Sequence, residues 1–263
     1  MRTSPADNPI CYVQPKRLAV SAWVEHVPFG MYLIDLLRPV SIVELGTRNG
    51  VSYCGFCQAV LHLGLAAQCV AVDTWHGDGH TGVYGPGVLE ELRFHHDSLY
   101  GAFSKLQQGL FDEAAAGFDY GSIDLLHVDG FHTYEAVSHD FKTWLPRLST
   151  RGVVMFHDVA EHGRDFGVWK LWSELEVRYP SFAFHHGHGL GVLGVGAELP
   201  AAVTELLHAS REEASQIRRF FHRQGRLVAM RLMADLALNS PARLVASTIR
   251  FARKLSADSP AGG

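Results

Sequence analysis

Short apolar runs alternate along the chain with stretches whose apolar residues recur every three or four positions. The first run, Ser41-Ile42-Val43-Glu44-Leu45, predicts a strand that feeds the turn Gly46-Thr47-Arg48-Asn49-Gly50, with a helix over 51–63. A second strand over 68–72 ends at Asp73. Residues 103–108, 123–128 and 152–156 predict strands three to five, with helices over 88–100, 112–118 and 134–148 between and before them. A helix over 166–179 carries the apolar stripe Val168, Leu171, Trp172 and Leu175. The runs 181–184 and 190–195, joined by His185-His186-Gly187-His188-Gly189, read as a hairpin. Upstream, Ser21 caps a short helix through His26, and a second helix ends at Arg38-Pro39. Strand–helix alternation closed by a hairpin predicts a doubly wound α/β fold: a seven-stranded, mostly parallel sheet with one antiparallel strand. Beyond Pro200 the pattern is helical, with helices expected over 201–223, 227–238 and 242–255 and disorder over 258–263. The domain reading is a lead-in over 1–19, the α/β body over 20–198 and a helical extension over 199–263.

Two strand tips carry the candidate chemistry. The run Ile123-Asp124-Leu125-Leu126-His127-Val128 breaks off at Asp129-Gly130, with His132 three residues beyond Asp129. The run Gly152-Val153-Val154-Met155-Phe156 ends in His157-Asp158. The carboxyl ends of parallel strands are where ligands bind in open α/β sheets. Carboxylates and imidazoles gathered there suit a divalent cation and a general base. Each aspartate taken singly also reads as a turn opener or a helix cap; the same chemistry on two adjacent tips favours a site.

The turn after the first strand is spaced E-x-G-x-x-x-G, not as the G-x-G-x-x-G dinucleotide fingerprint, which argues against a dehydrogenase. Its glycines let the backbone approach a ligand, and the helix start favours an anionic group. An acid at the tip of the second strand, Asp73, can accept hydrogen bonds from both ribose hydroxyls of a nucleoside. The long glycine- and histidine-rich stretch after it reads as a lid, with Trp75 and Tyr84 as candidate platforms for a ring.

Charge divides the chain. Residues 211–254 hold ten basic and three acidic residues, net +7, which leaves −11 for the rest of a chain whose formal charge is −4. The basic tail fits a solvated face on a packed helix, a homo-oligomer contact, a membrane surface or a contact with a glycosyltransferase. No nucleic-acid partner is expected. With four cysteines, no signal-peptide pattern and no apolar run long enough to span a bilayer, the expected compartment is a reducing cytoplasm. Cys54-Gly55-Phe56-Cys57 imitates a redox dithiol, but it lies a full turn inside its helix. The sixteen histidines match no structural zinc spacing, and His188 is the best placed of those outside the strand tips.

Glu44 to Gly50 together with Asp73 resemble the cofactor half of class I S-adenosylmethionine-dependent methyltransferases, whose sheet runs in the order 3-2-1-4-5-7-6. Within that class, Val128-Asp129-Gly130-x-His132-x-Tyr134 and Val153-Val154-Met155-Phe156-His157-Asp158 resemble the small metal-dependent branch. That branch holds sugar O-methyltransferases of macrolide pathways and cephalosporin hydroxylase-like proteins, and relatives accompany glycosyltransferases in bacterial polysaccharide pathways. The resemblance spans residues 20–196. It implies that Glu44, Gly46, Thr47 and Gly50 hold the methionine part of S-adenosylmethionine, and that Asp73 holds the ribose, with Trp75 beside it. Asp129, His157 and Asp158 would ligate Mg²⁺, Mn²⁺ or another divalent cation, and His132 would be the base acting on a hydroxyl of a sugar or glycan. His157 stands where the branch often has an acid, and imidazole is the softer ligand, so Mn²⁺, Fe²⁺ or Co²⁺ would compete better with Mg²⁺. Two other readings stand beside this one: a metal-dependent hydroxylase using 2-oxoglutarate, and a non-catalytic module that docks on a glycosyltransferase.

Overall fold

The computed structural model describes residues 4–80, 82–163 and 165–239. Seven strands form one sheet: β1 (Ser41–Leu45), β2 (Gln68–Asp73), β3 (Ser104–Gln108), β4 (Ile123–Val128), β5 (Leu148–His157), β6 (Ser181–Phe184) and β7 (Leu190–Gly194). Their order is β3-β2-β1-β4-β5-β7-β6, the expected 3-2-1-4-5-7-6. β1 pairs in parallel with β2 and β4, while β7 runs antiparallel between β5 and β6. The chain order reverses between β1 and β4, and the crevice above that point receives the tips of both.

Alternation along β1 explains the two layers of core. Val43 and Leu45 face one side, with Leu126, Val154, Phe141 and Trp172. Ile42 faces the other, against α1 (Val27–Leu37) and α2 (Val51–His62). Pro28 stands in the first turn of α1, where no amide donor is needed, and Arg38 ends the helix in a left-handed conformation. On the opposite face, Thr133 caps α5 (Tyr134–Trp144) by accepting from the Ala136 amide. The remaining helices of the body are α3 (Gly87–Tyr100), α4 (Phe111–Ala115) and α6 (Val168–Leu175). The expected lid holds a two-stranded ribbon that pairs Gly77–Asp78 with Gly82–Val83.

The tail departs from its pattern. The first expected helix stops early, as α7 (Ala201–Leu207), and a single helix, α8 (Arg211–Asn239), then replaces the expected break near residue 225. The restart is set by a capping box: Ser210 Oγ accepts from the Glu213 amide and Glu213 Oε2 accepts from the Ser210 amide. Gly225 is a packing glycine, not a break, because a Cβ there would collide with the Glu25 carbonyl oxygen. Phe221, 1% exposed, packs edge-on to Phe29 and Phe184. Arg218 donates to the Ala183 carbonyl at 2.6 Å. α8 is therefore fastened to the body along its length. The helix and disorder expected beyond residue 239 lie outside the described residues. Among the described residues no helix is long and apolar enough to cross a membrane.

Candidate active site

The glycine turn is held from below. Asp73 Oδ2 accepts from the amides of Thr47 and Arg48, each at 2.8 Å, and Oδ1 accepts from the Trp75 amide at 2.7 Å. Trp75 donates its indole N–H to the Arg48 carbonyl. Gly46 adopts φ 85°, and a Cβ there would collide with the Asp129 carbonyl oxygen, so glycine lets the tips of β1 and β4 meet. Gly50, at φ 72°, is the N-cap of α2. Glu44 is fully buried and its Oε2 pairs with His127 Nδ1 at 2.8 Å. Trp23 donates to His127 Nε2, which leaves the Nδ1 proton for Glu44. Glu44 Oε1 and Thr47 Oγ1 are buried without a hydrogen-bond partner in the protein. Unsatisfied polar atoms beside a glycine turn are what a polar ligand would complete.

The two strand tips meet as expected. One ligand atom each from Asp129, His132 and Asp158 lies within 4.8 Å of the others, a spacing that can hold one metal ion. His132 Nε2 is 3.0 Å from Asp158 Oδ2 and 3.6 Å from Asp129 Oδ1. His157 approaches the same carboxylates, with Nδ1 3.2 Å from Asp158 Oδ2 and 3.4 Å from Asp129 Oδ1, while its Nε2 donates to the Gly187 carbonyl at 3.0 Å. The compact ligand set thus contains His132, expected as the base, and His157 stands at its edge. Burial opposes charge on all four groups, yet mutual attraction prevails. Burial would lower the His132 pKa, but the Asp129 and Asp158 carboxylates hold it up at about 9. The same balance raises His157 and holds both aspartates below the usual carboxylate range. Asp158 adopts φ 62°, a left-handed conformation uncommon outside glycine, as expected of a side chain aimed by its surroundings.

Turn and cluster open into one cleft of about 1960 Å³, lined among others by Gly46, Thr47, Asp73, Asp129, His132 and Asp158. A single small ligand fills roughly 300–1,000 Å³, so the cleft has room for two molecules side by side. Two expectations need correction. Trp75 is 3% exposed and does not line the cleft, because its ring is spent on locking the turn; Tyr84 lines it instead, with the Arg48 guanidinium 5.2 Å above its ring. Glu44 also lies beneath the lining, not in it. Three further contributors lie outside the expected site set, of which only His188 was singled out in the sequence. His80 from the lid ribbon lies 3.3 Å from His132. His188, noted in the hairpin, bridges Asp158 and Glu161 at 3.2 and 3.1 Å. Arg226, Met230 and Met233 of α8 form a wall with Val20 and Ala22. The histidine-rich loops were the available signal for the first two; no local signal marked the wall.

Residues 43–159 match a family model described as a methyltransferase domain. A protein of Sinorhizobium fredii described as uncharacterized, y4gI, is 50% identical over 188 residues, 71% of this chain and 20% of that protein. The chain thus spans about a fifth of the length of that curated relative. Among solved structures, cofactor-bound Rv0187 from MTB superposes with a TM-score of 0.52 at 15% identity, over 70% of this chain and 84% of that one. The O-methyltransferase TomG of Streptomyces achromogenes, solved with SAM, gives 0.50 at 15% identity over 69% and 83%. At such identities the likeness is one of fold. The sheet order is that of the Rossmann-like methyltransferase fold, and residues 43–159, which carry the glycine turn, are similar to a methyltransferase domain.

Proposed function

We propose that this chain is a divalent-cation-dependent O-methyltransferase that moves a methyl group from S-adenosylmethionine to a hydroxyl of a sugar, a glycan or a glycosylated natural product. The observation that carries the reading is the convergence of Asp129, His132 and Asp158, within 4.8 Å of one another, in the cleft that also contains the glycine turn. The residues fit both groups. Thr47 Oγ1 offers a partner to the methionine part of the cofactor, Gly46 opens the turn at the cleft, Glu44 lies beneath it paired with His127, and Asp73 has a lone pair to spare for a ribose hydroxyl. Asp129 and Asp158, with His157 Nδ1 beside them, offer a hard cation two carboxylates, and Mg²⁺ or Mn²⁺ suits that set. The sugar acceptor rests on the resemblance of residues 128–134 and 153–158 to sugar O-methyltransferases. TomG, named as an O-methyltransferase, shares the fold and supports oxygen as the accepting atom.

When bound, the cation supplies Lewis-acid stabilisation to an alkoxide and the sulfonium supplies the methyl electrophile. The side chains do the rest. His132 Nε2, when unprotonated, takes the hydroxyl proton, and the Asp129 and Asp158 carboxylates beside it stabilise the imidazolium that results. The lid ribbon and the α8 wall exclude water and align acceptor with donor, a contribution that can reach several kcal/mol.

Thermal unfolding with S-adenosylhomocysteine, NAD or 2-oxoglutarate, each with and without Mg²⁺, separates this reading from the hydroxylase and the non-catalytic module. S-adenosylhomocysteine is expected to raise the melting temperature. Methyl transfer to a panel of glycosides is expected to stop in EDTA and return with Mg²⁺ or Mn²⁺. Undiminished transfer in excess EDTA removes the cation from the reading, and stabilisation by 2-oxoglutarate instead of S-adenosylhomocysteine replaces it with the hydroxylase.

A further inference from the structure

His80 stands between the two short strands of the lid ribbon, outside the set of residues expected from the sequence. Its side chain is 7% exposed. Phe131 and Phe166 both stack on it, each with its ring centroid 4.7 Å away, and Phe166 also stacks on His132 at 4.6 Å. His80 Nε2 lies 2.6 Å from Asp165 Oδ1, and His80 Nδ1 lies 3.3 Å from His132 Nδ1. Three segments meet here: the ribbon, the tip of β4 and the stretch after β5.

The proton order along this line comes from donor and acceptor chemistry. A carboxylate oxygen accepts, so His80 Nε2 donates to Asp165. A neutral imidazole protonated on Nε2 has its lone pair on Nδ1. That lone pair accepts from the Nδ1–H of His132. The ring atom of His132 left facing Asp129 and Asp158 is Nε2, and by the same rule it donates to Asp158 Oδ2 at 3.0 Å. His132 thus carries a proton on each nitrogen, and Nε2 is the one that can give its proton up toward the cleft. A hydrogen bond to one ring nitrogen of a histidine sets what the other can do.

We propose that Asp165 and His80 are positioning residues that hold His132 with its proton on Nδ1 and so present its Nε2 to the cleft as the working atom. The arrangement serves a proton acceptor and a metal ligand alike, because both need Nε2 to be the nitrogen that parts with its proton while Nδ1 keeps its own. It resembles in logic the carboxylate that orients the histidine of a serine protease triad, here with a second imidazole interposed. Because His80 rides on the ribbon, the orientation of His132 depends on the ribbon lying in place.

The proposal rests on the methyl-transfer reading for its activity arm alone. Its first test is long-range proton–nitrogen NMR of the full chain labelled with ¹⁵N-histidine, with and without Mg²⁺, with assignments taken from single variants. The expected result is a protonated, exchange-protected Nδ1 on His132 and an unprotonated Nδ1 on His80. In His80→Ala, His132 Nδ1–H is expected to lose its protection, and in the Mg²⁺-loaded protein the ring is expected to shift toward the Nε2–H form. His80→Asn places an amide oxygen where Nδ1 stood and is expected to restore the wild-type pattern. Asp165→Asn keeps the size of the side chain while weakening the anchor, and it serves should His80→Ala fail to fold. A proton found on His80 Nδ1, or a His132 tautomer unmoved in the folded variants, overturns the proposal. In turnover, His80→Ala is expected to lower kcat by about 10- to 100-fold, with S-adenosylhomocysteine affinity unchanged and His80→Asn recovering most of the loss. Should the wild type methylate none of the glycosides offered, the functional reading falls while the NMR result still decides this one.

Discussion

Gly46 joins the two halves of the site. Its φ of 85° turns the chain out of β1, and its missing side chain lets the Asp129 carbonyl of β4 sit against it. A methyl group there meets backbone, which cannot swing aside. Gly46→Ala is therefore expected to cost at least ~2 kcal/mol in urea unfolding and to weaken S-adenosylhomocysteine binding in calorimetry. An alanine variant as stable as the wild type would show that the tips can part without harm. Asp73 and Trp75 illustrate a different relation between sequence and site. An acid at the second strand tip was legible as a nucleoside partner, but two of its neighbours' amides and that of Trp75 already point at it. Its hydrogen bonds build the turn, so the residue shapes the site whether or not it also meets a ribose.

Among the elements, the β6–β7 hairpin carries a titrating feature of its own. His186 stacks on His26 at 4.6 Å and leans on His222 at 4.9 Å. Burial, then the proximity of His222, lowers the His186 pKa to about 4. Burial, then His157 and His186, lowers His26 well below the histidine norm. The folded chain thus binds fewer protons here than the unfolded chain between pH 6.5 and 4. The stability these neutral rings contribute is present above pH 6.5 and is lost as the pH falls toward 4. The melting temperature is expected to drop across that window, and the drop is expected to be shallower in His186→Phe. Equal slopes in the two proteins would place the acid sensitivity elsewhere. His132 acts with the opposite sign, because its pKa is raised to about 9, so the comparison between variant and wild type is the informative quantity.

In the molecule as a whole, the strand tips that carry the chemistry come from the segment matching the family model, while one wall of the cleft comes from outside it. Val20 and Ala22 precede residues 43–159, and Arg226, Met230 and Met233 come after them. Met230 and Met233 are 62% and 41% exposed, so apolar surface faces the cleft mouth from α8. Methionine adapts to varied partners, which suits a wall that grips the acceptor's less polar parts. Met230→Glu with Met233→Glu is expected to raise the acceptor KM about tenfold or more, with S-adenosylhomocysteine affinity and melting temperature close to wild type. A proportional loss of cofactor binding would mean that α8 supports the cofactor side instead.

The strands, the glycine turn and the two acidic tips could be read from the chain alone, because each is a local consequence of its own segment, whereas the strand order was what the resemblance to methyltransferases implied. An apolar run buries itself as a strand, glycines bend the chain where it leaves the sheet, and a doubly wound sheet brings the carboxyl ends to one edge. The continuity of α8 through Gly225, the burial of Trp75 and the line from Asp165 through His80 to His132 could not be read that way. Each is set by groups far apart in sequence that touch only after the layers pack. Gly225 reads as a helix breaker until Glu25 lies against it, and His80 reads as a loop histidine until Phe131 and Phe166 close around its ring. Hydrophobic periodicity records which face of an element is buried and carries no record of what it is buried against.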